Sequence, residues 1–304
     1  MTRSDPQKAS FSYIKQVLTG QTDLISYQNV ILTLKWIVYP LLIINFFYYL
    51  NDDLNTVRHT LDGETGLRKW LNALAPSLDQ ISWIMLIFVY ELETYWLDDD
   101  FDNRFAEILM LLVKLVFVGF ILNTIYAYAY YVAEIDGLKI MEGVNDLCVL
   151  AGDNLSFYRN VSYVEITAET CTTIAYNAPL YSYPSDPLVT DATGRLEDAQ
   201  LRIIDLIEAC VWLVILALTE LSVRLQERDI YKGAILTWDK RLKMLMYGLL
   251  VLACIYWGAK GHYMYIWDEF LWIMSFLVLD NNLSVWRDEL EAADKGTQGS
   301  AEVI

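Results

Sequence analysis

The sequence predicts an all-α integral membrane protein of six transmembrane helices, paired as three helical hairpins, with a small outward-facing insert. Three observations predict it. The 304-residue chain is 55% hydrophobic and 14% aromatic, whereas ordinary soluble domains are about 45–50% apolar. Six windows suit a hydrocarbon core, which takes about 20 helical residues; they lie at 29–50, 79–97, 105–131, 201–226, 240–258 and 264–286. The charged residues that interrupt these windows recur in matching columns.

Taken in order, the chain begins with a polar cytoplasmic segment, residues 1–28, that has no short apolar core followed by a small-residue cleavage site. The first helix is therefore expected to act as an uncleaved insertion signal. Helices 1–3 fill 29–133, and 51–78 is expected to hold a short amphipathic helix around "LRKWLNALAP" that Pro76 ends. Residues 134–198, rich in Thr, Val, Ile, Tyr and Asn, form an extracytoplasmic cap with some strand. Helices 4–6 fill 199–286, and 287–304 is read as a disordered acidic tail.

Orientation follows from Lys and Arg. The segment "RLQERDIYKGAILTWDKRLK" between the fourth and fifth windows is basic, while the insert carries only Lys139, Arg159 and Arg195. The positive-inside rule places the basic loop and both termini in the cytoplasm and the insert outside. The location implied is a bacterial inner membrane or a plasma membrane. Cys148 and Cys171 both fall in the insert and are expected to be bonded there, whereas Cys210 and Cys254 fall in spans and read as packing residues. "NLS" at 154 and "NVS" at 160 match the glycosylation pattern, which is short enough to recur by chance.

Composition also excludes. A net charge of −17 argues against nucleic acid. His59 and His262 are the only histidines, and no Gly-rich phosphate loop or nucleophile elbow is present. No metal, cofactor or catalytic residue is expected, and an intramembrane enzyme is the least supported class.

The columns carry the functional argument. Aligned on Trp83, Trp212 and Trp272, the even-numbered helices share an acid four residues before the Trp, namely Asp79, Glu208 and Asp268, and another eight residues after it, namely Glu91, Glu220 and Asp280. In the odd-numbered helices Lys35, Lys114 and Lys243 each precede a Pro or Gly by five residues, and Tyr39 matches Tyr247. This is compatible with a pseudo-threefold repeat about the membrane normal. Lys35 lies roughly 9 Å inside its span at 1.5 Å per residue, level with Glu91 on the returning helix. The same counting pairs Lys114 with Glu220 and Lys243 with Asp280.

Outer acid, Trp and inner acid fall within an arc of about 120° on each helix, and the two acids are roughly 18 Å apart along it. Acids at these depths normally face the protein interior, and rings of acids select cations or relay protons. The tryptophans serve there as a constriction or as packing. The expected function is therefore a channel or transporter for a cation or proton. The competing reading is a structural, assembly or sensory subunit in which the Lys–acid pairs only fix helix packing. The expected partners are the lipid bilayer, the ion, and a second copy of the chain or another membrane protein.

Overall fold

The computed structural model describes residues 27–61, 66–95, 104–144, 146–174, 179–228, 230 and 232–301. It is mostly helical, with one small sheet. The helices are α1 (Tyr27–Thr60), α2 (Leu67–Ala73), α3 (Ala75–Tyr95), α4 (Arg104–Glu134), α5 (Ala192–Gln226), α6 (Ala234–Lys260) and α7 (Tyr263–Ala301). Among the described residues three stretches are long and apolar enough to cross a membrane: Leu32–Thr60, Arg104–Gly137 and Ala234–Lys260. A fourth is added if α2 and α3, bent by 69° at their junction, are taken as one broken span. Ile43, Ile44 and Phe47 on α1, Leu115, Val116 and Leu122 on α4, and Val251, Leu252 and Ile255 on α6 are exposed. A lipid solvent accommodates such apolar faces.

The chain divides into two compact units that cut across the long helices. Unit 1 comprises Met1–Asn45, Ile84–Leu112 and Val214–Ile304; unit 2 comprises Phe46–Trp83 and Val113–Leu213. In unit 1, α6 and α7 form a tight hairpin. Gly261 takes a left-handed φ of 86° just past the end of α6, its N–H donates to the Gly258 carbonyl at 3.1 Å, and the His262 N–H donates to the Trp257 carbonyl at 2.9 Å. These two bonds satisfy carbonyls that the helix end would otherwise leave bare. Leu250, Trp257, Leu271, Phe276, Val278 and Leu279 are buried in this unit.

Unit 2 holds the insert, and here the all-α expectation is corrected. The strands β1 (Lys139–Ile140), β2 (Ser156–Arg159), β3 (Ser162–Glu165), β4 (Leu180–Ser182) and β5 (Leu188–Asp191) form one mixed sheet in the order β1-β4-β5-β2-β3. β2 runs parallel to β5, and every other pair is antiparallel. Side chains alternate across a strand, and the alternation separates two small cores. Phe157 and Val189 point into a core with Leu147, Leu150, Ile166, Cys171 and Leu180. Their neighbours Tyr158 and Leu188 point into another with Ile135, Leu138 and Tyr183. Cys148 and Cys171 form a disulfide at the edge of the first core. In so small a fold, with little apolar area to bury, such a crosslink stabilises chiefly by restricting the unfolded chain.

Three expected boundaries change. Pro76 does not end the short helix; α2 stops at Ala73, and Pro76 sits in the first turn of α3, where its missing N–H would have lacked a partner anyway. The insert ends sooner than 198, because α5 already begins at Ala192. The tail expected to be disordered continues α7 as far as Ala301, through "DELEAADK", whose Glu, Leu, Ala and Lys are strong helix formers. Residues 96–103 and the N-terminal segment up to residue 26 lie outside the described residues.

Candidate functional site

Within unit 1 the same three-group arrangement occurs twice. Lys35 and Tyr39 are four apart on α1, so both side chains lie on one face of the helix. Both reach the same acid on α3: Lys35 Nζ donates to Glu91 Oε2, and Tyr39 Oη donates to Glu91 Oε1 at 2.6 Å. On α6, Lys243 and Tyr247 repeat the spacing. Lys243 Nζ donates to Asp280 Oδ1 at 2.7 Å, and Tyr247 Oη donates to Asp280 Oδ2 at 2.9 Å. Each carboxylate therefore takes an ammonium on one oxygen and a phenol on the other. Charge-assisted bonds of this type are the strong ones, and inside apolar helices they meet little competition from water.

The α6–α7 clamp has an additional acid. Asp239, one turn before Lys243, places Oδ2 at 3.9 Å from the ammonium and accepts a bond from Ser222 Oγ of α5 at 2.9 Å. Its other oxygen, Oδ1, is buried and has no hydrogen-bond partner among the described residues. Ser222, Asp239, Lys243, Asp280 and Tyr247 thus form a continuous polar chain, with one ammonium between two carboxylates. Sequence reasoning missed Asp239 by placing it in a loop. Its spacing of four from Lys243 was the available signal.

The third inner acid behaves differently. Glu220 accepts from Tyr90 Oη of α3 at 3.1 Å and from Arg224 Nε, four residues on, at 2.8 Å. Lys114 is buried on α4 in unit 2. Position 118, the counterpart of Tyr39 and Tyr247, is Val, so α4 carries no phenol there to complete a clamp.

The outer columns follow a local rule. Trp83 Nε1 donates to Asp79 Oδ2 at 3.0 Å, and Trp272 Nε1 donates to Asp268 Oδ1 at 2.9 Å. A buried indole needs an acceptor, and side chains on a helix lean toward its N-terminus, so the acid four residues earlier is the natural one. Asp268 also accepts from Asn45 Nδ2 of α1. Trp212 is buried and packs against Trp83 with ring centroids 5.8 Å apart. Glu208 is half-buried on α5.

Unit 2 holds a second polar cluster, under the cap, that the sequence columns did not indicate. Arg202 of α5 donates to Asp198 Oδ1 at 2.8 Å, to the Tyr131 carbonyl at 2.9 Å and to Glu134 Oε2 at 3.3 Å. Tyr183 Oη donates to Asp198 Oδ2 at 2.6 Å. Burial, and next the Asp198 carboxylate, push the Tyr183 phenol well above its ordinary pKa, which keeps it a donor. On the α1 side, His59 stacks on Tyr163 with centroids 5.3 Å apart, and its Nδ1 is 2.9 Å from Ser156 Oγ. Among the described residues no group of three or more His, Cys, Asp or Glu could hold a metal ion. No known family model, curated protein or solved structure matches this chain.

Proposed function

We propose that the chain is a six-span membrane protein, built from three hairpins, that handles a proton or small cation through its intramembrane acids as a channel or transporter. The observation that carries this reading is the chain Ser222–Asp239–Lys243–Asp280–Tyr247 in unit 1. Packing two helices needs one ion pair at most. Here a second carboxylate, with one buried oxygen unbonded, stands against the same ammonium, and linked titratable groups in apolar helices are the material of proton relays.

In this reading α5 and α7 are the remaining spans, their charged turns shielded inside the bundle. The basic segment 224–243 faces the cytoplasm, the cap lies on the other side, and the pseudo-threefold repeat is intact in two hairpins and eroded in the second. Protons suit the site better than alkali cations, because the unbonded oxygen, Asp239 Oδ1, can take a proton but offers a metal cation only one ligand.

One observation favours the scaffold alternative. The Lys35–Tyr39–Glu91 clamp joins α1 to α3 and serves equally well to fix how these two helices pack. The test is reconstitution of the full chain into liposomes loaded with a pH-sensitive dye, or with Na+ or K+ reporters, under gradients of both signs. The proposal expects dissipation of at least one gradient above protein-free vesicles. If protons, Na+ and K+ all fail to move in either direction, the scaffold reading replaces it.

A further inference from the structure

The turn between β4 and β5, Pro184-Ser185-Asp186-Pro187, is where the cap meets the helix ends of unit 2. Lys69 Nζ of α2 donates to the Ser185 carbonyl and lies 3.6 Å from Asp186 Oδ1. Tyr130 Oη of α4 is 3.0 Å from Ser185 Oγ. The Leu188 N–H donates to the Asp186 carbonyl at 2.7 Å, and the Tyr183 N–H donates to the Leu188 carbonyl at 3.0 Å, so these two amides report on the turn. We propose that this turn is an acid-closed latch, which docks the cap on α2, α4 and α5 more firmly as the solution on the cap's side of the membrane is acidified.

The charges around Asp186 explain the direction. Facing it are Lys69 from α2, Glu134 and Tyr131 from α4, Arg202 from α5 and Tyr163 from β3. On the α1 side, His59 stacks on Tyr163. Arg202 is already bonded to Asp198 and Glu134. Four carboxylates, Glu134, Asp186, Asp198 and Asp205, thus share two cations, Lys69 and Arg202, which leaves two negative charges in excess (2 − 4 = −2). The Lys69 side chain is 43% exposed against 12% for Asp186, so water screens the cation that is left to answer Asp186. A proton on Asp186 halves the excess.

The sign follows from linkage. In the docked turn, burial and next the Glu134 charge raise the Asp186 carboxyl from 3.8 to about 6, against the opposing pull of Lys69 and Arg202. A released turn in water returns to the ordinary value. The docked state then holds the proton more tightly, so docking gains strength as pH falls through about 6 toward 4 and loses that gain above 6. The difference implies a change in the docking equilibrium on the order of 20-fold between pH 7.5 and 4.5.

The experiment is hydrogen exchange of the full chain in lipid nanodiscs, following peptides that cover 183–188 at pH 4.5 and 7.5 and correcting for the intrinsic pH dependence of exchange. Wild type should lose protection at these amides by roughly that factor at the higher pH. Asp186→Asn, which carries no charge to bury, should stay protected at both. Lys69→Gln should move the wild-type transition to higher pH, which gives a second reading if the Asn variant folds poorly. His59→Gln should leave the transition in place. Protection that is flat with pH in wild type, or that still falls in Asp186→Asn, overturns the latch. So does loss of the transition in His59→Gln, which would put the proton on the histidine. None of these readings depends on ion flux, so the latch and the transport proposal fail separately.

Discussion

Asp280, in the hairpin of α6 and α7, and Glu220 on α5 hold equivalent places in the sequence pattern, yet their chemistry differs. Asp280 is held by Lys243 and Tyr247 from one face of one helix. Glu220 is held by a phenol from α3 and by an arginine on its own helix whose side chain is 49% exposed. Matching acids are not enough to repeat a site. The donors must repeat as well, and the spacing of Lys and Tyr four apart does so on α1 and α6, while α4 breaks it with Val118. Burial grades the sites in the same order. The Lys243 side chain is 8% exposed and Lys35 is 25% exposed.

That grading can be broken by mutation, and the largest effect should be at Asp280. Replacing it with Asn leaves Lys243 buried with only Asp239 at a longer distance. Removing one partner of a buried pair typically costs about 3–5 kcal/mol, and a corresponding fall in the detergent melting temperature would register it. Glu91→Gln should cost less, about 1–3 kcal/mol, because the more exposed Lys35 can extend its stem toward the headgroups. An equal loss at both acids would show that burial does not set the order.

Tyr247→Phe sharpens the comparison by removing only the phenolic donor. It should cost about 1–2 kcal/mol, and Tyr39→Phe should follow it, since both bonds have the same geometry. The smallest effect is expected at Glu220→Gln. Its partner Arg224 is half-exposed and the pair is a one-turn helix pair, so the loss should stay at about 1 kcal/mol or below. A loss at Glu220 as large as that at Asp280 would mean that a buried cation also answers this acid and that the three columns are more alike than their donors suggest.

Much of this architecture is legible in the sequence where the signal is local or periodic. Helix existence followed from long apolar windows, and the levels of Lys35 with Glu91 and of Lys243 with Asp280 followed from counting rise per residue. Tyr39 and Tyr247 were visible as a matched pair, but their role as second donors was not, because that depends on how two helices turn toward each other. Asp239 was hidden by a boundary: a window begun at residue 240 leaves it in a loop. The break at Leu74 was invisible because Leu is a good helix former, and Pro76 beside it pointed to an end rather than a start. The cluster around Arg202 joins α4, α5 and Tyr183 at the end of β4, and no spacing along one element encodes such a meeting.

The central claim is that the chain around Lys243 carries a proton or cation and does more than hold α6 to α7. A paired replacement tests it most directly, with Lys243→Met and Asp280→Leu combined so that no unpartnered charge is left behind. Apolar replacement of a whole buried pair is often neutral for stability, so the double variant should melt near wild type even though each single change does not. Flux through it, measured in the same liposomes under gradients of both signs, should be lost. A double variant that folds and still carries wild-type flux would contradict the account and leave Lys243 and Asp280 as packing residues.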